Sequence, residues 1–335
     1  MGMIRTSLSD GRLGAGMQRQ ILIAAGGGLA SALFSLGFLA GGGNLAIVAY
    51  FAALPLFGVG FMLGVRSTVV SGTFSVVVIF LLGGLAAAGV YVASIMIPAW
   101  IVVYHALSQR FYANGATGWY APGEIVSRLA ALAAAVVFVM TLVQMGNEGG
   151  IEASVRDFLT NSIAPLLPSA DSDQIGLFLD RVVPLFPSFA TLSWLAMLMV
   201  NATLAQALLV KWGKAMRASP DYAAIETPEW ISWALVAAAA FKLLSSGDLE
   251  YVAQNLVVIL AAPFFFVGLA VVHTLLRRTR LTGAGLAAFY TCLMLFTWLA
   301  VLVAALGFAE QWAKLRERFG QAPGSLAPRH QPEDE

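Results

Sequence analysis

Side chains able to bind or react are scarce inside the long hydrophobic stretches of this chain, and three of them stand out: Asn201, Lys242 and Asn255. A buried amide in lipid seeks a hydrogen-bond partner on another helix, and a buried ammonium needs a counter-charge or a route to the membrane surface. For the asparagines two interpretations stay open: hydrogen bonding between helices, or the lining of a polar substrate cavity. For Lys242 the alternatives are snorkelling toward the side of Asp248 and binding of an anionic ligand.

Several kinds of catalytic site have no sequence pattern in this chain. There is no G-x4-G-K-[ST] loop for ATP, no H-E-x-x-H zinc motif and no G-x-S-x-G nucleophile turn. The histidines, His105, His273 and His330, lie far apart and lack metal-ligand spacing. No Asp or Glu lies in the middle of a predicted span, which argues against an ion-driven pump and an intramembrane aspartyl protease. We therefore expect no catalytic residue, no metal, no cofactor and no enzyme activity.

The composition is that of a membrane protein. Of 335 residues, 59% are hydrophobic and 11% are charged, whereas soluble chains carry about 25% charged residues. The mean hydropathy is +0.81. A net charge of +1 gives no electrostatic basis for binding nucleic acid, and a single cysteine excludes an internal disulfide. The lipid bilayer is therefore the expected surrounding of most of the chain.

The runs without charged residues set the number of membrane spans. Residues 20–65 and 67–109 lack Asp, Glu, Lys and Arg, and each run is twice the roughly 20 residues that cross a bilayer as a helix. Each run predicts a hairpin, with glycine turns at 41–44 and within 83–89. The expected fold class is all-α, a polytopic transmembrane helix bundle of about nine spans with two interfacial amphipathic helices. The predicted spans are 20–40, 45–64, 68–86, 90–107, 125–145, 187–210, 230–245, 251–275 and 284–307.

Basic residues near the span ends predict the orientation. Three arginines precede the first span, and further basic residues follow the second, fourth, sixth and eighth spans. The N-terminus is therefore expected in the cytoplasm, and the acidic stretch 148–181 outside, in a multi-pass protein of the bacterial inner membrane. Nine spans place the end of the chain outside. Because the last segment is basic, eight spans with that end inside is the alternative.

These patterns divide the chain into three parts: a cytoplasmic segment 1–19, the bundle 20–307, and a polar, partly disordered tail 308–335. The bundle contains an extracytoplasmic insertion, 146–185, in which apolar residues recur at helical spacing on both sides of a proline-bearing loop. The two amphipathic helices predicted there are expected at the outer interface. Capping of the bundle and a linker that rests on lipid are the open alternatives.

Small residues at helical spacing predict close contact between helices. Ala24, Gly28 and Ala32 form one ridge of the first span, and Gly60 and Gly64 form a small-xxx-small pair in the second. Such faces let two backbones approach. They serve either helix packing within the chain or the docking of another membrane subunit.

Three blocks of residues carry a family resemblance: Leu54-Pro55 … Gly64, Pro98 … Arg110, and Asn201 … Lys211 … Pro220 … Pro228-Glu229-Trp230. With the basic start, they resemble the YybS-like family of uncharacterised bacterial membrane proteins over most of residues 15–307. That family is distantly similar to the substrate-binding subunits of energy-coupling-factor transporters, which bind vitamins or metal cofactors in a six-helix bundle. The resemblance implies that a coupling subunit contacts the small residues of the first helix. The extra spans and the insertion depart from that pattern.

The leading hypothesis is an integral inner-membrane protein that acts as a substrate-binding or permease-type subunit of a transporter and lacks its own ATPase. The expected partners are the bilayer and, through the small-residue face of the first span, another membrane subunit. The alternative is a scaffold or assembly factor for a cell-envelope process, without transport activity. A polar cavity near Asn201 would favour the first hypothesis, and a bundle without such a cavity would favour the second.

Overall fold

The computed structural model describes residues 4–39, 47–111, 117–144, 149–163, 171–277 and 282–320. Short turns of π-helix (Val92–Met96) and 3-10 helix (Val183–Leu185 and Tyr222–Ala224) join some of the elements. Strands β1 (Gln109–Phe111) and β2 (Thr117–Trp119) pair antiparallel. The α-helices, in chain order, are α1 (Ile4–Leu39), α2 (Leu54–Leu63), α3 (Val65–Tyr91), α4 (Ile97–Leu107), α5 (Pro122–Gln144), α6 (Gly150–Ile163), α7 (Ser172–Val182), α8 (Phe186–Lys211), α9 (Glu229–Leu244), α10 (Asp248–Leu276), α11 (Thr282–Leu295), α12 (Leu299–Ala313) and α13 (Leu315–Gly320).

The predicted all-α polytopic membrane architecture is confirmed, but the count of nine spans is not supported. By length and composition the described residues contain five candidate spans, or six if the bent pair of α11 and α12 (119°) is one span. The difference has physical causes. Helix α9 has 16 residues and the helical stretch Ile47–Leu63 is similarly short, whereas a bilayer core needs about 20 residues of helix. Residues 65–107 form one continuous apolar stretch of 43 residues. The five candidate spans are Gly16–Gly37, Val65–Leu107, Pro122–Gln144, Asp173–Lys211 and Asp248–Leu276.

A sharp break interrupts α3 at Gly84, whose φ of 80° and ψ of −178° are not helical. Gly72 and Met96, each twelve residues from Gly84, nevertheless lie in contact, since a Cβ on Gly72 would be 2.8 Å from Met96 Cγ. In a continuous helix these residues would be about 36 Å apart. The chain therefore folds back at Gly84, as the predicted turn within 83–89 requires. The other predicted turn, 41–44, lies outside the described residues.

By its internal contacts the chain divides into two units, and the first comprises Met1–Ala121 and Ala190–Pro220. In this unit α1 packs against α2 and α3, and α4 packs against both α2 and α3. Its core contains fully buried side chains from α2, α3 and α4. The largest of them are Leu56, Phe57, Ile79, Tyr91 and Val103.

The second unit comprises Pro122–Phe189 and Asp221–Glu335, and α10 is its central helix. Helix α10 packs against α5, α9 and α12. The contact with α12 is backbone to backbone, because a Cβ on Gly268 would lie 1.9 Å from Val303 O and a Cβ on Gly307 would lie 1.8 Å from Phe264 O. Two glycines thus permit a close contact between the backbones of α10 and α12.

The amphipathic helices predicted within 146–185 are present as α6 and α7. Their apolar residues pack on one another, with Leu159, Leu179 and Val183 buried together. Arg156 donates to Asp180 Oδ1 across the pair at 2.7 Å. The apolar stripes therefore meet each other, at least in part, instead of lying on lipid alone, and their position relative to the membrane stays a prediction.

The described parts of both ends of the chain are helical. Helix α1 runs from Ile4 through Leu39 without a break at residue 19. At the other end, α12 continues to Ala313 and α13 extends to Gly320, so the first part of the segment 308–335 is helical. Residues 321–335 lie outside the described part of the chain.

Candidate functional site

Asn201 donates a hydrogen bond to a backbone carbonyl that loses its usual helical donor next to Pro55. Pro55 has no N–H, so Phe51 O instead accepts from Leu54 N at 3.0 Å. That shift takes the Leu54 N–H away from Tyr50 O, its normal helical acceptor. Asn201 Nδ2 donates to Tyr50 O at 2.9 Å, and also to Met197 O, one turn back on α8, at 2.7 Å. The Asn201 amide therefore links α8 to the backbone at Tyr50, just before α2.

Other polar side chains near Pro55 also form hydrogen bonds within the first unit. Ser31 Oγ donates to Ala52 O at 2.6 Å and lies 2.6 Å from Tyr91 Oη. Asn201 is fully buried, and its Oδ1 has no hydrogen-bond partner among the described residues, like Ser71 Oγ. Asn201 does not line the cavity described below. Its geometry fits the interpretation of hydrogen bonding between helices.

Trp194, which the sequence analysis did not single out, replaces in the same way the hydrogen-bond donor that Pro98 lacks. Pro98 cannot donate to Ser94 O, four residues earlier, and the backbone there forms the π-helical turn Val92–Met96. Trp194 Nε1 donates to Ser94 O at 2.7 Å. An unpaired carbonyl in a nonpolar surrounding is costly, so this indole satisfies a group that the proline would leave unpaired.

We expect Trp194→Phe to lower the free energy of unfolding by about 1 kcal/mol, because the ring stays and only the hydrogen bond is lost. In a Pro98→Ala background the same change should cost less, since the backbone N–H that alanine restores can donate to Ser94 O. Equilibrium unfolding in detergent micelles, followed by circular dichroism, measures both differences.

Trp233→Phe is the matched control, because Trp233 is 72% exposed. Equal losses for Trp194→Phe and Trp233→Phe, or an unchanged loss in the Pro98→Ala background, would contradict the assigned role of the indole.

Asn255 has every hydrogen-bonding group engaged within the second unit. Its Oδ1 accepts from Ser188 N at 2.9 Å and from Ser188 Oγ. Its Nδ2 donates to Pro184 O at 3.0 Å and to Tyr251 O at 2.9 Å. Ser188 N belongs to the first turn of α8, where N–H groups lack helical acceptors. Asn255 therefore caps α8 from the side of α10 and has no group left for a ligand.

Lys242 lies in the last turn of α9 and is half-buried. It makes no ion pair or hydrogen bond within the described part of the chain. Asn201 belongs to the first unit, whereas Lys242 and Asn255 belong to the second, where no hydrogen bond or ion pair joins them. Substrate binding by these three residues stays a prediction.

The small-residue ridge of α1 is covered by the chain itself. Ala24 and Ala32 are 1% and 0% exposed. A Cβ on Gly28 would lie 2.4 Å from Ser71 O, and Gly28 O accepts from Ser75 Oγ at 2.8 Å. This face is therefore a helix-packing face against α3.

The pair Gly60 and Gly64 divides into two different roles. A Cβ on Gly60 would lie 2.6 Å from Val103 Cγ2, so Gly60 lets α2 approach α4 as the spacing predicts. Gly64 instead has φ 94° and ψ 176° and is the single residue between α2 and α3. The interpretation of Gly64 as a packing residue is corrected, because a positive φ of this kind makes it the turn.

A cavity of about 530 Å³ lies in the second unit, and no part of the sequence analysis predicted it. Its wall combines the segment between α8 and α9 with the ends of α10 and α12. A Cβ on Gly123 would lie 1.9 Å from Glu226 O, so this glycine lets the segment approach α5 closely. The residues that line the cavity are Asp221, Ala223, Ala224, Glu226, Thr227, Val267, Thr274, Gly307, Glu310, Gln311, Lys314 and Arg316.

A buried ion pair fixes one wall of this cavity. The Glu310 and Arg316 side chains are 5% and 14% exposed, and Arg316 Nε donates to Glu310 Oε1 at 2.8 Å. Glu310 Oε2 also accepts from Leu315 N at 2.7 Å, which caps the start of α13. Arg316 Nη1 donates to Ala223 O at 2.6 Å. The pair thereby ties α12, α13 and the segment that contains Ala223 into one rim.

The chain matches one known protein family. A family model described as "Predicted membrane protein (DUF2232)" matches residues 28–310. The matched region includes the cavity wall as far as Glu310, whereas Gln311, Lys314 and Arg316 lie beyond it. No curated protein matches the chain, and no solved structure matches it.

Proposed function

Because this chain belongs to the DUF2232 family of membrane proteins, we propose that it is a ligand-binding membrane subunit of the substrate-binding or permease type. In this role it has no ATPase and no catalytic activity of its own. The absence of a P-loop and of a nucleophile motif from the sequence supports that part of the proposal.

The cavity of the second unit carries the proposal. Its volume of about 530 Å³ lies in the range of roughly 300–1,000 Å³ that is common for small-molecule sites. Its wall offers both apolar surface, from Ala224 and Val267, and several charged groups. A cleft with an apolar wall and a few convergent polar groups is the usual form of a ligand site.

The proposed arrangement places nine spans in the bacterial inner membrane, with the N-terminus in the cytoplasm. The fold at Gly84 supports two crossings within residues 65–107, and the distribution of basic residues supports the orientation. By analogy with the energy-coupling-factor transporters that the sequence pattern distantly resembles, we propose that another membrane subunit supplies energy. Since the ridge of Ala24, Gly28 and Ala32 is covered by α3, that subunit would meet the exposed side of α1. Leu22 and Leu33, 72% and 55% exposed, lie on that side.

Blocking the cavity tests the proposal. We expect at least one compound from a panel of water-soluble vitamins, amino acids and amines to raise the midpoint of thermal unfolding of the purified protein in nanodiscs. The variant Ala224→Trp should abolish this shift, because Ala224 lines the cavity. The variant Ala239→Trp, on an exposed position of α9, should retain it. A panel without any stabilising compound would contradict the proposal, as would equal shifts in both variants.

The second candidate is a scaffold for a cell-envelope process, and α6 and α7 favour it. Phe158, Leu177 and Phe178 remain 59%, 66% and 48% exposed on this helical pair, and exposed aromatic and aliphatic side chains are common at binding surfaces. Complementation of a deletion strain separates the candidates. A scaffold should tolerate Ala224→Trp and fail with Phe158→Ser and Phe178→Ser, whereas a ligand-binding subunit should show the reverse.

A further inference from the structure

We infer that the cavity of the second unit binds an organic cation in which an alkyl chain carries primary ammonium groups, such as a diamine or a polyamine. This inference rests on the proposed function and narrows it to one class of ligand.

The guanidinium group of Arg316 in the wall is already engaged. Arg316 donates from Nε to Glu310 and from Nη1 to Ala223 O. Lys314 also has an interaction partner. An anionic ligand would have to displace these interactions, and separating the buried pair of Glu310 and Arg316 would leave a charge uncompensated. The cavity is therefore poorly prepared for an anion.

The charged groups that remain are carboxylates, and the Thr227 hydroxyl and the Gln311 amide of the wall can also donate hydrogen bonds. Asp221 and Glu226 are exposed to solvent in the cavity wall, and the Glu226 carboxylate has no hydrogen bond or ion pair within the described residues. Thr274 Oγ1 donates its hydrogen to Ala270 O at 2.8 Å, so its lone pairs are what it can offer to the cavity. An ionised carboxylate only accepts hydrogen bonds, and an ammonium group only donates them.

The charge and the surface of the cavity agree with that assignment. Glu310 and Arg316 neutralise each other, so the two other carboxylates outnumber the single lysine among the lining residues. Val267 and Gly307 add a nonpolar portion to the wall. A ligand with ammonium groups joined by methylene groups satisfies the carboxylates and places its chain on this nonpolar portion.

Isothermal titration of the full chain in nanodiscs of zwitterionic lipid, with putrescine and spermidine as probes, tests the inference. We expect saturable binding that weakens about tenfold or more in Glu226→Gln and in Asp221→Asn, because each change removes a charge-assisted hydrogen bond. Asp221→Asn keeps an oxygen for the Ala223 N–H that Asp221 Oδ1 accepts at 2.9 Å, so the segment should stay folded. Glu229→Gln is the matched control, since Glu229 is exposed but does not line the cavity. The uncharged 1,4-butanediol should not bind.

Equal affinity of wild type, Glu226→Gln and Asp221→Asn for both amines would overturn the inference, as would the absence of amine binding. If amines fail and an anionic or neutral compound of the panel stabilises wild type but not Ala224→Trp, the amine class is wrong and the ligand-binding function stands. If no compound binds, both proposals are wrong.

Discussion

Replacement of Arg316 by methionine is expected to lower the free energy of unfolding by about 3 kcal/mol. The Glu310 side chain is 5% exposed, so its carboxylate would lose its charged partner while it stays largely buried. This loss of stability lies at the low end of the range for breaking a buried ion pair, because Leu315 N and Arg316 N still donate to the Glu310 carboxylate. Equilibrium unfolding in mixed detergent micelles measures the change.

A double variant and a comparison with an exposed ion pair distinguish the cost of leaving a buried charge unpaired from a general loss of packing. The double variant Glu310→Gln/Arg316→Met should recover most of the stability, because it removes both charges. Arg156→Met should cost no more than about 1 kcal/mol, since the side chains of Arg156 and Asp180 are 38% and 62% exposed although their atoms are 2.7 Å apart. Equal losses for Arg316→Met and Arg156→Met would contradict the assigned role of the buried pair.

The sequence predicted the membrane-embedded helical fold because its cause is local. Runs without charged residues need a nonpolar surrounding, and a helix satisfies its own backbone groups there. The count of spans depends on more than composition. By composition residues 65–107 form a single apolar stretch. The glycines within 83–89 predicted a turn there, and the backbone at Gly84 and the contact of Gly72 with Met96 place the reversal at Gly84.

The polar residues of the spans were recognised by type, but their partners were not. Asn201 binds a carbonyl 151 positions away in the sequence, and no local pattern encodes such a distance. One clue was available: Pro55 and Pro98 each remove a donor from the carbonyl four residues earlier. Each defect within an apolar run requires a substitute donor, and in the folded chain Asn201 and Trp194 fill that role.

The cavity could not be predicted because its wall forms from segments that are distant in the chain. Glu310 and Arg316 stand where the sequence turns polar, and that change is equally typical of a solvated tail. Their burial depends on contact with Ala223, 93 positions before Arg316. In the sequence, the charged residues of the segment 221–227 likewise resemble those of an ordinary loop. Only the structure shows that residues of α10 and α12 lie beside them.

Glycines that stand alone in a span, Gly268 and Gly307, were also missed, since they form no small-xxx-small repeat of the kind seen at Gly60 and Gly64. Their role appears only in the contact of α10 with α12. We expect Gly307→Ala to lower the free energy of unfolding by about 2 kcal/mol, because the new Cβ would overlap the backbone at Phe264 O, 1.8 Å away, and the helices must separate.

The sign of this effect is what makes the prediction specific. Alanine normally stabilises a helix relative to glycine by about 0.5–1 kcal/mol. Gly58→Ala in α2 and Gly89→Ala in α3 are the controls and should be neutral or stabilising, because a Cβ at either position meets nothing within 4 Å. Gly268→Ala should resemble Gly307→Ala, since its Cβ would lie 1.9 Å from Val303 O.

The two changes should not be additive. Once one alanine has forced α10 and α12 apart, most of the space for the second exists, so the double variant should cost less than the sum of the single variants. Unfolding in detergent micelles, with the same protocol for all five variants, provides the comparison. Stabilisation by Gly307→Ala, or full additivity with Gly268→Ala, would show that the backbones of α10 and α12 are not in the close contact that these glycines permit.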